Sequence, residues 1–148
     1  MLTWTTYGTW LQGDERGYVK DGRIIHPNTL LADANKKELL KEPVVLTPNH
    51  RRTIEGAIYA KADKIGQKIF ALSVCSNHVH IVVDYTTKDL GLMVRYYKMA
   101  AHKALRNTGF EGRLWTKGFD KRFCFDQKSL QKRIDYVNAH NESSYRSI

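Results

Sequence analysis

Acidic side chains are scarce in this sequence: 15 Asp and Glu stand against 24 Lys and Arg in 148 residues, a formal net charge of +9. Such an imbalance disfavours a cationic partner and favours an anionic one. Cysteine is almost missing as well. Cys75 and Cys124 lie far apart and form no CxxC pair, which argues against a disulfide scaffold and a thiolate metal site. Their apolar surroundings fit small buried hydrophobes in a reducing cytoplasm. No apolar run approaches the ~18 residues of a membrane span, and the opening MLTWTTYG has neither the basic region nor the apolar stretch of a signal peptide. The expectation is a cytoplasmic protein with no membrane partner. Only three prolines interrupt the chain, and neither an internal repeat nor a low-complexity segment is present.

What is there suits one domain spanning 1–148, with 42% hydrophobic residues to build a core. The charge is lopsided. Residues 1–86 hold 11 basic and 9 acidic side chains, a net +2, whereas 87–148 hold 13 and 6, a net +7. The second part is therefore where an anion would be held.

Leu2–Tyr7 reads as a strand rich in Thr and aromatics. Residues 9–49 are irregular, with a short helix around Asp33–Lys41; a connection so long often carries a binding function. Arg51–Gly66 is helical, with Ile54, Ala57, Ile58, Ala62 and Ile65 spaced by threes and fours. Lys68–Cys75 and His78–Tyr85 are strands joined by a Ser76-Asn77 turn. Thr87 or Asp89 caps a helix to about Arg106, and Phe119–Phe125 is a further strand. Asp126 caps a final helix to about Asn141. This order predicts an α+β fold: a ferredoxin-like βαββαβ core with a four-stranded antiparallel sheet, helices on one face and an added C-terminal helix.

In the strand from His78 to Asp84, Val79, Ile81 and Val83 alternate with His78 and His80. The aliphatic face must be core, so the two histidines share the other face, about 7 Å apart. Adjacent imidazoles suit a metal ion, although such a triplet alone is more often two surface histidines. In the final helix Leu130, Ile134 and Val137 mark the buried stripe, with Tyr136 and His140 together on its flank as an i, i+4 pair and Arg133 beside them. Such a flank could carry a nucleophile, a third ligand and a phosphate-binding cation. Asp84 is a further acid on the histidine face. Tyr96 and Tyr97 have alanine four residues on, and Tyr97 falls on the apolar stripe of its helix.

His78-Val79-His80 on a strand, followed by Tyr136-x-x-x-His140 on a later helix, resembles the single-tyrosine HUH (IS200-like) transposases, and more closely their REP-associated tyrosine transposase branch. The likeness extends to the Thr3-Trp4-Thr5-Thr6-Tyr7-Gly8-Thr9-Trp10 opening, Leu114-Trp115-x-x-Gly118-Phe119-Asp120-Lys121-Arg122 and Ile134-Asp135-Tyr136-Val137-Asn138. It implies His78 and His80 as metal ligands and Tyr136 as nucleophile. The residue four after the tyrosine is commonly Gln or Asn in relatives; here it is His140, a different donor for the third place. The Asn-Pro pair frequent near this point is absent, replaced by His140-Asn141-Glu142.

The implied activity is that of a metal-dependent single-stranded DNA endonuclease and strand transferase. It would cut beside hairpins through a 5′-phosphotyrosine link, with Mg²⁺ or Mn²⁺ as cofactor. Three imidazoles favour Mn²⁺ on ligand chemistry alone. The implied partner is a single strand or a short hairpin from a repeated extragenic palindrome, and a homodimer that exchanges the tyrosine helix is compatible with the likeness. Arg95, Lys98, His102 and Arg106 line one face of the long helix, and Arg113, Lys117, Lys121 and Arg122 follow, interleaved with Trp115 and Phe119. With Arg133 these are the candidate DNA contacts, cations to neutralise phosphate and aromatics to stack on bases. Arg16, Lys20 and Arg23 are further candidates for the hairpin. The alternative is a non-catalytic hairpin or single-strand binding module on the same fold.

Overall fold

The computed structural model describes residues 1–9, 18–20, 23–25 and 43–146. The expected Asp33–Lys41 helix and Arg16 lie outside the described residues. Strands β1 (Leu2–Thr5), β4 (Ile69–Val74), β5 (His78–Val83) and β6 (Asp120–Lys121) form one antiparallel sheet in the order β4-β5-β1-β6. Strands β2 (Tyr18–Lys20) and β3 (Arg23–Ile25) pair as a separate hairpin within the long connection. Among the described residues the helices are α1 (Pro48–Ile65), α2 (Leu90–Asn107) and α3 (Gln127–Arg146). The chain thus has the ferredoxin-like strand order, with β1 and β5 at the centre.

Period-two alternation decides what each sheet face meets. Leu2 and Trp4 on β1 pair across to Ile81 and Val79 on β5. These pack with Ile54 and Ile58 of α1 and with Val94, Tyr97 and Ala101 of α2 into the main core. Trp4 lies at its centre, stacked on Tyr97 (6.5 Å between ring centroids) and edge-on to Trp115 (6.2 Å). The other face carries a smaller cluster, in which Ala71, Val82 and Val137 pack with Phe70, Leu130 and Ile134. So α3 covers the sheet face opposite α1 and α2. A bulge between Ile69 and Ala71 helps, because it leaves Phe70 and Ala71 both in the cluster beneath α3.

Helix boundaries follow their caps. Thr47 caps α1 by accepting from the His50 N–H (3.1 Å), while His50 Nδ1 accepts from the Thr47 N–H (3.3 Å), and Pro48 supplies the first turn. The helix therefore begins three residues before the Arg51 that periodicity indicated, and Gly66 ends it in the left-handed region at φ 70°. Asp89 rather than Thr87 caps α2, accepting from the Leu92 N–H at 2.9 Å. Asp126 caps α3 by accepting from the Ser129 N–H at 2.7 Å, and the helix runs past Asn141 to Arg146.

One expected strand is corrected. Only Asp120–Lys121 of the Phe119–Phe125 stretch pairs with β1. Phe119 packs on the main core, and Phe123 and Phe125 leave the sheet for solvent. The two ends of the long connection return to each other: Val44 N–H donates to the Tyr7 carbonyl (2.9 Å) and Thr6 Oγ1 to the Val44 carbonyl (2.7 Å). Gly8 makes that closure possible, since a Cβ there would lie 2.8 Å from Pro43 Cα.

Candidate metal centre and tyrosine helix

The β-turn that sets the site is Ser76-Asn77, closed by the Cys75 N–H donating to the His78 carbonyl at 2.8 Å. It sets the β4–β5 register, with Ser73 facing His80, and on the other edge of β5 strand β1 pairs so that Thr5 faces His78 and Thr3 faces His80. The same alternation that buries Leu2 and Trp4 therefore stands two threonines beside two histidines on the α3 side of the sheet. Val137 holds α3 there, fully buried against Ala71 and Val82. Asn141 adds a tie one turn later, its Nδ2 donating to the Leu72 carbonyl at 2.9 Å. Each one residue ahead of an anchor, Tyr136 and His140 project toward the histidine strand.

The result is a compact cluster. One ligand atom from each of His78, His80 and His140 lies within 4.8 Å of the other two. Ring centroids are 4.6 Å apart for His78–His80, 4.8 Å for His80–His140 and 5.9 Å for His78–His140. The Tyr136 ring lies 5.5 Å from His80 and 4.5 Å from His140, and it is 46% exposed. A nucleophile must be reachable, and this phenol is.

The outer hydrogen bonds orient all three rings. Nδ1 of His78 meets Asn77 Oδ1 at 2.7 Å, and Nδ1 of His140 meets the Tyr136 carbonyl at 2.9 Å. Both partners are acceptors, so Nδ1 carries the proton and Nε2 keeps the lone pair. Nδ1 of His80 meets Thr3 Oγ1 at 2.7 Å, a hydroxyl able to accept from it in the same pattern. Burial, with His78 and His140 close by, pushes the His80 imidazole down to about 3. Burial and His140 lower His78 as well. Neutral imidazoles with Nε2 free are what a metal ion needs, and these three histidines could hold one.

Other sequence candidates are placed elsewhere. Asp84 is not part of the cluster; its carboxylate accepts from the Lys68 N–H at 3.2 Å. Tyr97 is core, and its hydroxyl donates to Gln67 Oε1. Trp115 is buried, 7% exposed, with Nε1 donating to the Lys98 carbonyl at 3.0 Å. Lys98 is half-buried, and its ammonium donates to the carbonyls of Thr116 (3.0 Å) and Gly118 (2.7 Å). His102 Nε2 likewise meets the Gly112 carbonyl at 2.9 Å. Arg113 lies over the Tyr7 ring, 4.7 Å from its centroid.

Arg95 and Arg106 are exposed on the outer face of α2, across the sheet from the histidines, and Lys117, Lys121 and Arg122 are exposed on the connection to α3. Arg133 is half-buried on α3, one turn before Tyr136. Sequence reasoning missed Thr3 and Asn77, although the β1–β5 pairing makes Thr3 the neighbour of His80. It also missed Phe123 and Phe125, which a strand assignment had concealed.

An antiparallel sheet that presents a histidine cluster to a tyrosine-bearing helix defines a ferredoxin-like α+β domain with a candidate metal centre. The family follows from comparison of sequences: the model described as "Transposase IS200 like" matches residues 40–140. The chain belongs to this IS200-like transposase family. No curated protein sequence matches it. Among solved structures it is similar to a candidate transposase from Deinococcus radiodurans R1, crystallised at 1.90 Å resolution. That likeness has 14% identity and a TM-score of 0.45, over 94% of this chain and 87% of the other. Among the described residues no helix is long and apolar enough to cross a membrane.

Proposed function

We propose that this transposase-family protein cuts and rejoins single-stranded DNA beside a hairpin by way of a covalent link to Tyr136. The observation that carries the reading is the convergence of His78, His80 and His140 next to an exposed Tyr136. A divalent ion bound there would supply positive charge to a scissile phosphate. His78, His80 and His140 would hold it through Nε2, and Asn77, Thr3 and the Tyr136 carbonyl keep the rings aimed. Mn²⁺ suits three imidazoles better than Mg²⁺ does.

The remaining chemistry belongs to the protein. The Tyr136 Oη forms a bond to phosphorus and the bond from phosphorus to the 3′ oxygen breaks. The phenolic proton passes to solvent, which reaches this exposed ring, and the leaving oxygen takes up a proton as a free 3′-OH. Attack by a 3′-OH on the phosphotyrosine reverses these steps and reseals a strand without a nucleotide cofactor. Arg133, one turn from Tyr136, neutralises an adjacent phosphate. Lys117, Lys121 and Arg122 bind the strand as it leaves, while Arg95 and Arg106 meet a hairpin stem that wraps to the α2 side.

The test is incubation with single-stranded hairpins drawn from the gene's own flanks, with and without Mn²⁺. Cleavage with a denaturation-resistant protein–DNA adduct is expected only with the metal. Cleavage without an adduct would instead indicate a hydrolase that uses water.

A further inference from the structure

The connection between β6 and α3 opens an apolar groove of about 650 Å³, away from the histidines. Phe70, Tyr85, Phe123 and Phe125 line it, together with Met1 and Leu130. Three of these rings face solvent, Tyr85 at 89%, Phe125 at 90% and Phe123 at 59% exposure. Leaving such rings in water is unfavourable unless something uses them.

Cations stand against this aromatic surface. Lys121 Nζ lies 5.9 Å from the Phe123 centroid and Lys68 Nζ lies 5.1 Å from that of Phe70. Asp84 and Asp126 also line the groove; each stays an anion while accepting a backbone N–H, from Lys68 and Ser129, and the cations Lys68, Lys121 and Arg122 stand beside them. Flat apolar faces set among cations match one ligand chemistry, bases on a phosphate backbone. A second copy of this chain would bring its own +9 charge to the contact.

Position connects the groove to the reaction. Gln127, a lining residue two positions after Phe125, stands nine residues before Tyr136 on α3, about 14 Å along the helix axis. Arg133 lies between them on the same helix, half-buried. A strand stretched to about twice its ~3.4 Å duplex rise covers that interval in about two nucleotides.

We propose that the Tyr85, Phe123 and Phe125 groove stacks unpaired bases of single-stranded DNA within about two nucleotides of the phosphate that Tyr136 attacks. This inference rests on the strand-transfer reading for its orientation, and on the aromatic and cationic surface for its ligand.

The test compares oligothymidine with an abasic oligomer of equal length, which keeps the phosphates and removes the bases. Binding to the wild type and to a Phe123→Ala/Phe125→Ala variant is measured by fluorescence anisotropy at one salt concentration. The variant is expected to lose ~5- to ~100-fold in affinity for oligothymidine and nothing for the abasic oligomer. Phe125→Tyr should keep the preference for bases, and Phe125→Ala alone serves should the double variant fail to fold. An unchanged oligothymidine affinity, or an equal loss on both probes, overturns the proposal. So does a shift of the free variant to a smaller species on size-exclusion chromatography, which would make the patch a contact between copies. Adduct formation by the same proteins on the flank-derived hairpins with Mn²⁺ separates the two readings. An adduct without base preference removes the groove alone, and base preference without an adduct removes the reaction and leaves a single-strand site.

Discussion

Thr3 Oγ1 stands 2.7 Å from His80 Nδ1, and losing that contact has a measurable consequence. A ligand's second nitrogen needs a partner to fix the ring and its tautomer, and removing such a partner costs ~10- to ~100-fold in metal affinity. Thr3→Val keeps shape and strand propensity and removes only the hydroxyl. Its Mn²⁺ affinity, by calorimetry, should fall within that range, while the metal-free protein loses no more than the ~1–3 kcal/mol of one buried hydrogen bond. Lys98 makes the opposite case. Its ammonium ties α2 to the Thr116–Gly118 loop, so Lys98→Met should cost ~1–3 kcal/mol of stability and leave the salt dependence of DNA binding unchanged. Burial, then Arg113, holds Lys98 down at about 8 against 10.5 for a free lysine. Between those values the unfolded chain binds more protons, so this contribution to stability rises with pH through the window and is flat below it. The melting-temperature gap between wild type and Lys98→Met should widen from pH 7.5 to pH 10. The sequence displayed His78 with His80, and Tyr136 with His140, because the spacing within each pair is local; Thr3 lies 77 residues from His80 and becomes its neighbour only through strand pairing.

At the level of elements, α3 does two things with two faces. Leu130, Ile134 and Val137 pack on the sheet, and the flank they leave carries Tyr136 and His140 to the histidine strand. Stability and site geometry therefore share one contact. Val137→Ala removes two buried methyl groups at a fully buried position and should cost ~2 kcal/mol in chemical denaturation. The Mn²⁺ affinity should fall with it, because His140 is held by the same helix. A loss of stability with unchanged metal affinity would show that α3 reaches the strand by other contacts. Periodicity revealed α1, α2 and α3 well, since each has a clear apolar stripe. It started α1 late because the Thr47-Pro48 cap precedes the first apolar residue. It overextended β6 because Phe119, Phe123 and Phe125 look like a strand, whereas only two residues find a partner across from β1.

Over the whole molecule, the sheet separates two charged surfaces. The α2 cations Arg95 and Arg106 lie on one side, and Arg133 lies with the tyrosine on the other. The +7 of residues 87–148 was legible in the sequence; its division between two faces was not, because that depends on which side of the sheet each helix packs. Arg133→Ala should lower affinity for a short single strand and for a hairpin alike, reducing the single-strand salt slope by about 0.7. Arg106→Ala should weaken hairpin binding alone. Equal effects of the two substitutions on the short strand, read by anisotropy across a salt series, would contradict this division.

The most direct measurement is peptide mapping of the covalent adduct formed on a hairpin oligonucleotide with Mn²⁺, run beside Tyr136→Phe. The account requires a nucleotide attached to the peptide that contains Tyr136 in the wild type, and no adduct in the variant, which should still bind the hairpin. An adduct that survives in Tyr136→Phe, or that maps to another residue, would contradict it.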